Sequence, residues 1–370
     1  MKIICAPDSF KESISAEDAA SAMRRGIHEV DNTIEVDCCP IGDGGEGTIE
    51  AIVAAVGGRF ETLTVQGALG KPTYAKIGFS SDGRTAYIEA AEAIGLSKIT
   101  PENRNPMQAS TFGVGEMVKH AIDAQIKQLI ICVGGSSTND GGCGAAQALG
   151  VRFFNLQDEE IREPISGGML KNISRVDITS LDPRLHQIDL AIACDVNNPL
   201  YGPSGAAHVY AAQKGASSDD IQTLDDGLKH LATLTNTDAL LPGAGAAGGL
   251  AYGIVAMLGG QLKTGIHLVL EAVTFEDRIK NTDLILTGEG KLDSQTASGK
   301  AVAGIAEMAK KYNIPVHAIV GLLHADHATL TSLGVAGATA IGENHPIEYA
   351  MSHAAELIQD AAKNATQTSL

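Results

Sequence analysis

Short, nearly unbroken apolar runs recur along this chain, and each ends in a turn-like segment that carries an acidic residue, several of them rich in glycine. Ile3-Ile4-Cys5-Ala6 ends at Pro7-Asp8-Ser9-Phe10-Lys11. Val36-Asp37-Cys38-Cys39-Pro40 leads into Ile41-Gly42-Asp43-Gly44-Gly45-Glu46-Gly47-Thr48. Leu129-Ile130-Ile131-Cys132-Val133 runs into a loop from Gly134 to Gly142. Ile188 to Cys194 ends at Asp195-Val196-Asn197-Asn198-Pro199, and Leu284-Ile285-Leu286 at Thr287-Gly288-Glu289-Gly290-Lys291-Leu292-Asp293. Continuous apolar runs bounded by turn residues predict strands buried on both faces, the habit of parallel sheets. Helical spacing follows the first run over Ser15 to Val30, where Ser15-Ala16-Glu17-Asp18 resembles a capping box. A second helix is predicted from Gly47 to Val56, stopped by Gly57-Gly58. The opening therefore reads βαβα.

The style then changes. Phe60–Gln66, Thr73–Phe79 and Thr85–Glu89 alternate apolar and polar residues, and Asp82-Gly83 is a hairpin turn signal. Helices are predicted at Thr111–Ala124 and Cys143–Leu149. From Thr282 the parallel style returns, with strands at Asp283–Leu286, Val316–Ile319 and Ala338–Ile341 and a helix over 300–312. The expected architecture is two-domain α/β. Residues 1–58 and 276–370 form a discontinuous parallel-sheet domain, and 59–275 form an inserted mixed α/β domain with antiparallel strands.

Composition narrows the function. The 370 residues are 44% hydrophobic and carry a net charge of −17. That charge opposes nucleic acid, which is bound through phosphate neutralisation, and opposes anionic membrane surfaces. The cysteines, Cys5, Cys38, Cys39, Cys132, Cys143 and Cys194, form no C-x-x-C and read as reduced buried thiols of a cytoplasmic protein. Uncharged Gly243 to Gly260 reads as a loop and a buried helix, because glycine interrupts it throughout.

Glycine loops at strand ends let backbone N–H groups approach an anion, and a following helix adds its positive end. In open α/β sheets ligands bind beyond the carboxyl ends of the strands. The candidate substrate- or phosphate-binding set is Asp8, Ser9, Asp43, Gly134, Gly135, Ser136, Ser137, Thr138, Asn139, Asp140, Lys214, Gly243, Gly245 and Gly248. Asp195, Glu289 and Asp293 are candidates to hold a metal ion. Lys11, Lys214 and Lys291 sit within the loop motifs and could neutralise phosphate. The plainer readings are a solvated charge for each lysine and helix capping for Asp43 and Asp140. No G-x-x-x-x-G-K-[ST] is present. Gly243-Ala244-Gly245-Ala246-Ala247-Gly248 matches G-x-G-x-x-G but lacks the strand that a dinucleotide fingerprint needs. A kinase without a P-loop still needs carboxylates for Mg²⁺, cations for phosphate and a base for the acceptor hydroxyl.

Taken together, Asp8-Ser9-Phe10-Lys11-Glu12-Ser13, the 43–48 and 134–142 loops, Asp195 to Leu200, Gln213-Lys214-Gly215-Ala216, Gly243 to Gly249 and Thr287 to Thr296 resemble the class I bacterial glycerate kinases. The resemblance covers nearly the whole chain. It implies ATP- and Mg²⁺-dependent phosphorylation of D-glycerate, usually at the 2-hydroxyl. It also implies two α/β domains, one flavodoxin-like, with the active site in the cleft between them. On this reading Asp293, Asp195, Lys11 and Lys291 are the catalytic candidates, with Asp293 or Asp195 as base or metal ligand. The partners are small molecules, and a homo-oligomer is left open. A non-catalytic binder of sugar acids or phosphates, and an NAD-linked hydroxyacid reductase, are the alternatives.

Overall fold

The computed structural model describes residues 1–10, 12–41, 48–293 and 301–369. The chain forms two compact units. One comprises Met1–Asp43, Glu50–Val56 and Gly265–Leu370, and the other Gly44–Ile49 and Gly57–Thr264. The strands, in chain order, begin with β1 (Lys2–Pro7) and β2 (Glu35–Cys38). Next come β3 (Arg59–Gln66), β4 (Pro72–Phe79), β5 (Thr85–Glu89), β6 (Gln128–Cys132), β7 (Arg152–Asn155), β8 (Ile173–Asp177), β9 (Asp189–Ala193) and β10 (Gln261–Lys263). The last are β11 (Leu284–Leu292), β12 (Val316–Leu323) and β13 (Gly337–Ala340).

The first unit is built on a five-stranded sheet in the order β13-β12-β11-β1-β2, parallel throughout. From β1 the chain goes to one side for β2 and to the other for β11, β12 and β13, the flavodoxin-like order, with its reversal point between β1 and β11. Ile3, Cys5, Leu284, Leu286 and Ile319 are buried with Met23, Ile27 and Ile358 from two helices that cover one face. The first of these helices, Ala16–Val30, starts where the sequence predicts. Ser15 Oγ accepts from the Asp18 N–H at 3.1 Å and donates to the Asp18 carboxylate at 2.8 Å.

The end of β11 corrects the sequence reading, which stopped the strand at Leu286 and made a loop of the residues beyond. The strand runs on through Leu292, because β1 pairs with it as far as Gly288 and β12 as far as Leu292. Ala6 and Pro7 of β1 face Thr287 and Gly288, and β12 continues the ladder to Leu292↔Leu323. The glycines make this possible. A Cβ at Gly288 would stand 2.1 Å from the Ile319 carbonyl oxygen, and one at Gly321 2.4 Å from that of Gly290.

The second unit is built on a mixed sheet in the order β10-β9-β6-β5-β4-β3. Strands β10, β9, β6 and β5 are parallel, and β4 and β3 join antiparallel. The hairpin between β4 and β5 turns at Asp82-Gly83, where Gly83 has φ of +69° and the Asp82 carboxylate accepts from Ser80 Oγ at 2.6 Å and Arg84 N at 2.9 Å. Strands β7 and β8 form a separate antiparallel pair. The uncharged stretch contains the helix Ala246–Leu258, with Tyr252 fully buried. No described helix is long and apolar enough to cross a membrane.

Helix Ala16–Val30 packs against helix Ala354–Ser369 at Gly26, where an added Cβ would lie 2.1 Å from the Gln359 carbonyl oxygen. Gly26→Val must push the two helices apart, and overpacking of this kind costs about 1–3 kcal/mol. Urea unfolding of the purified variant should show that loss. A midpoint equal to the parent's would contradict the packing.

Candidate functional site

The predicted motifs gather into two clusters, one in each unit. In the first unit, the carboxyl ends of β1, β11, β12 and β13 surround a cavity of about 480 Å³. Asp8 and Ser9 reach it from the end of β1, and Glu289, Gly290 and Lys291 from β11. The Asp8 N–H donates to the Gly288 carbonyl at 2.8 Å, which extends the ladder by one residue and fixes where the Asp8 carboxyl emerges. Glu289 and Lys291 are two apart on a strand and so lie on one face. That places both on the cavity side, Glu289 buried and Lys291 at the solvent edge. Lys291 Nζ is 3.1 Å from the Asp293 carboxylate just past the strand end. Among the described residues, no three His, Cys, Asp or Glu side chains form a metal site. The donor set still suits Mg²⁺, which is held by one or two carboxylates together with phosphate oxygens. Asp8 and Glu289 reach this one cavity from neighbouring strands.

The second unit brings four motifs together around the loop that follows β6. Ser137 donates through its N–H and Oγ to the Ile94 carbonyl, at 2.9 and 2.8 Å. Lys214 is buried and its Nζ donates to the Thr138 carbonyl at 2.7 Å and to Ser136 Oγ at 3.2 Å. Gly141 N–H donates to the Gly248 carbonyl at 3.0 Å, and the Gly245 N–H to that of Asn198 at 2.9 Å. Thr138 Oγ1 and both amide atoms of Asn139 are buried with no partner among the described residues. Gly134 and Gly135 are exposed at the start of the loop, and Asp195 is exposed at the end of β9.

Asp140 is turned into the protein. Its carboxylate accepts from Thr111 N and Oγ1 at 2.8 and 2.7 Å and from the N–H groups of Gly142 and Gly144 at 3.1 and 3.2 Å. Thr111 Oγ1 in turn accepts from Ala145 N at 2.9 Å. The short helix Cys143–Ala148 is thus capped by the protein's own groups, the plainer of the two roles its sequence allows. Burial raises the Asp140 carboxyl pKa, and its hydrogen-bond donors oppose the shift. Gly243, Gly245 and Gly248 are buried. Added Cβ atoms would meet Cys194 Sγ at 2.8 Å, the Pro199 carbonyl at 2.4 Å and the Thr138 carbonyl at 2.1 Å. In the described structure these glycines serve close packing between loops. The G-x-G-x-x-G run opens a kinked helix, with Ala247, Gly248 and Gly249 all at positive φ, and follows no strand.

Lys11 and Asp43 lie outside the described residues. Sequence reasoning missed Thr111, which shares the buried network of Asp140. It also missed Glu89, at the end of β5 and in register with Cys132. The cavity wall over 341–354 was missed as well, although Ile341 directly follows β13 and the strand-end rule applied to β13 would have found its start.

A model of the glycerate kinase family matches residues 3–370. The chain belongs to the glycerate kinase family. A glycerate kinase from Bacillus subtilis strain 168 is 44% identical, over 98% of this chain and 96% of that one. The glycerate 2-kinase of Escherichia coli K12 is 42% identical over 90% and 89%. The crystal structure of a Salmonella typhimurium LT2 protein, provisionally assigned as glycerate kinase 2, superposes with a TM-score of 0.89 at 40% identity, covering 100% of this chain and 98% of that one. The two-unit α/β fold is therefore a fold of this kinase family.

The buried Lys214 gives stability a pH signature. Burial pushes its ammonium down to about 7, with the Asp140 charge opposing. An unfolded lysine titrates near about 10.4. Between those values the unfolded chain holds the extra proton, so this group's contribution rises with pH and is lost as pH falls through 7. Chemical denaturation at pH 6.5 and 9.5 should show the parent gaining stability over Lys214→Met at the higher pH. A constant difference would contradict the buried, deprotonating lysine.

Proposed function

We propose that this protein phosphorylates D-glycerate at the 2-hydroxyl, with ATP as donor and Mg²⁺ as cofactor. The observation that carries the reading is the cavity at the reversal point of the parallel sheet. It is lined by Asp8, Ser9, Glu289 and Lys291, in a chain whose named relatives are glycerate kinases. Phosphoryl transfer asks a protein mainly to position the reactants and to balance charge on the transferring group. Lys291 and the predicted Lys11 supply cationic charge, and Asp8 and Glu289 supply hard oxygen ligands. When bound, Mg²⁺ neutralises charge developing on the phosphate oxygens.

Asp293 is assigned as the base. The 2-hydroxyl of glycerate has a pKa far above neutral, so its proton must pass to an acceptor as the new P–O bond forms. The Asp293 carboxylate is paired with Lys291 Nζ at 3.1 Å. General-base catalysis of this sort contributes roughly 100- to 10,000-fold. Asp195 belongs to the second unit and is kept as the alternative base or metal ligand. Lys214 acts behind the loop, holding Ser136 and Thr138 in place, so that Gly134 and Gly135 form the loop's exposed approach.

A coupled ADP-release assay over a panel of small hydroxy acids tests the reading, with ³¹P NMR of the product. ADP release is expected only with D-glycerate present, to fall to background in excess chelator, and to accompany 2-phosphoglycerate. ADP release that ignores glycerate, or turnover in chelator, would overturn it. Asp293→Asn is expected to fold normally, to keep its KM for ATP, and to lose at least about 100-fold in kcat. A near-parental kcat would remove Asp293 from the base role.

A further inference from the structure

We propose that the cavity of the first unit holds the adenosine part of the phosphoryl donor, with residues 341–354 as the apolar wall against its base. The inference rests on the kinase reading above and extends it to the part of the chain that carries no motif. The lining is divided by chemistry. The polar groups are Asp8, Ser9, Glu12, Ser13, Glu289 and Lys291, at and just beyond the ends of β1 and β11, with Phe10 among them. Facing the same space are Ile341, Ile347, Ala350, Met351 and Ala354, with Leu322 of β12, and the ring of His345, stacked on Tyr349, stands among them.

A small hydroxy acid is polar at nearly every atom and would leave that wall without a partner. It is also far smaller than a space of about 480 Å³, a size within the general range of small-molecule and cofactor pockets. A nucleotide matches both halves, with a flat apolar ring at one end and phosphates at the other. The wall is seated by a specific contact, as Ser13 Oγ donates to the Met351 carbonyl at 2.7 Å. At the mouth, Ile347 is 63% exposed and Leu322 38% exposed. Leaving large aliphatic side chains in water is unfavourable, and a bound ring would cover them. The cavity also lies at the reversal point of a doubly wound sheet, where such folds bind nucleotides.

Two measurements test this on the full-length protein. Ile347 is already solvent-exposed, so Ile347→Asp should leave thermal unfolding unchanged. It should raise the KM for ATP about tenfold, the scale of losing one aliphatic contact. The KM for D-glycerate should stay within about twofold. Independently, photolabelling of the unaltered protein with 8-azido-ATP should mark a peptide within 341–354, with ATP protecting and D-glycerate not. A rise in the KM for glycerate alone would assign the cavity to the acid and overturn the proposal. So would labelling confined to other segments. If the unaltered protein releases no ADP from ATP under any condition, the kinase reading itself fails. If it turns over ATP but is labelled elsewhere, only the assignment of this cavity fails.

Discussion

The pairing of β1 with β11 is the constraint on which the described site depends. Residues far apart in the chain are brought into register, Ile3 with Leu284 and Pro7 with Gly288. Thr287 Oγ1 adds a buried bond of 2.9 Å to the Ala6 carbonyl. Closing so long a loop costs less than its length suggests, because closure entropy grows only with the logarithm of loop length. The pairing is offset by the burial of Ile3, Cys5, Leu284 and Leu286 in one core. Its chemical consequence is local. Parallel strands in this register bring Asp8, Glu289 and Lys291 to one cavity, although more than two-thirds of the chain lies between them.

The second unit solves a different problem. Its loop after β6 must keep a backbone rich in glycine in one shape while leaving part of it exposed. A buried carboxylate and a buried amine do this from within. Asp140 gathers Thr111, Gly142 and Gly144, and Lys214 holds Thr138 and Ser136. The Asp140 carboxylate and the Lys214 amine are each costly to bury and each is hydrogen-bonded, so they specify the loop's shape as well as stabilise it. Only Gly134 and Gly135 remain open at its start.

Much of the fold was legible in the sequence because its strands are continuous apolar runs and its caps are local. Thr85–Glu89, the Asp82-Gly83 turn and the Ser15 cap depend on residues close to one another. The extension of β11 to Leu292 was hidden. Thr287-Gly288-Glu289-Gly290-Lys291 looks like a loop until β1 and β12 are set beside it, and the glycines that suggest a turn instead allow close strand packing. The candidate site residues could be named from motifs, but spacing could not separate glycines that pack against neighbouring loops, such as Gly248, from those that stay exposed, such as Gly135. Nor could it show that Asp140 faces inward, since Thr111 lies in a different segment. The wall over 341–354 carries no chemical motif and is defined only by the cavity that it closes.

Amide hydrogen exchange tests most directly the claim that nucleotide binds at the carboxyl edge of the first sheet. The protein would be compared free and with Mg²⁺ and a nonhydrolysable ATP analogue. The account predicts slowed exchange in peptides covering Asp8–Ser13, Glu289–Lys291 and 341–354. Protection confined to other segments, with these three unchanged, would contradict it.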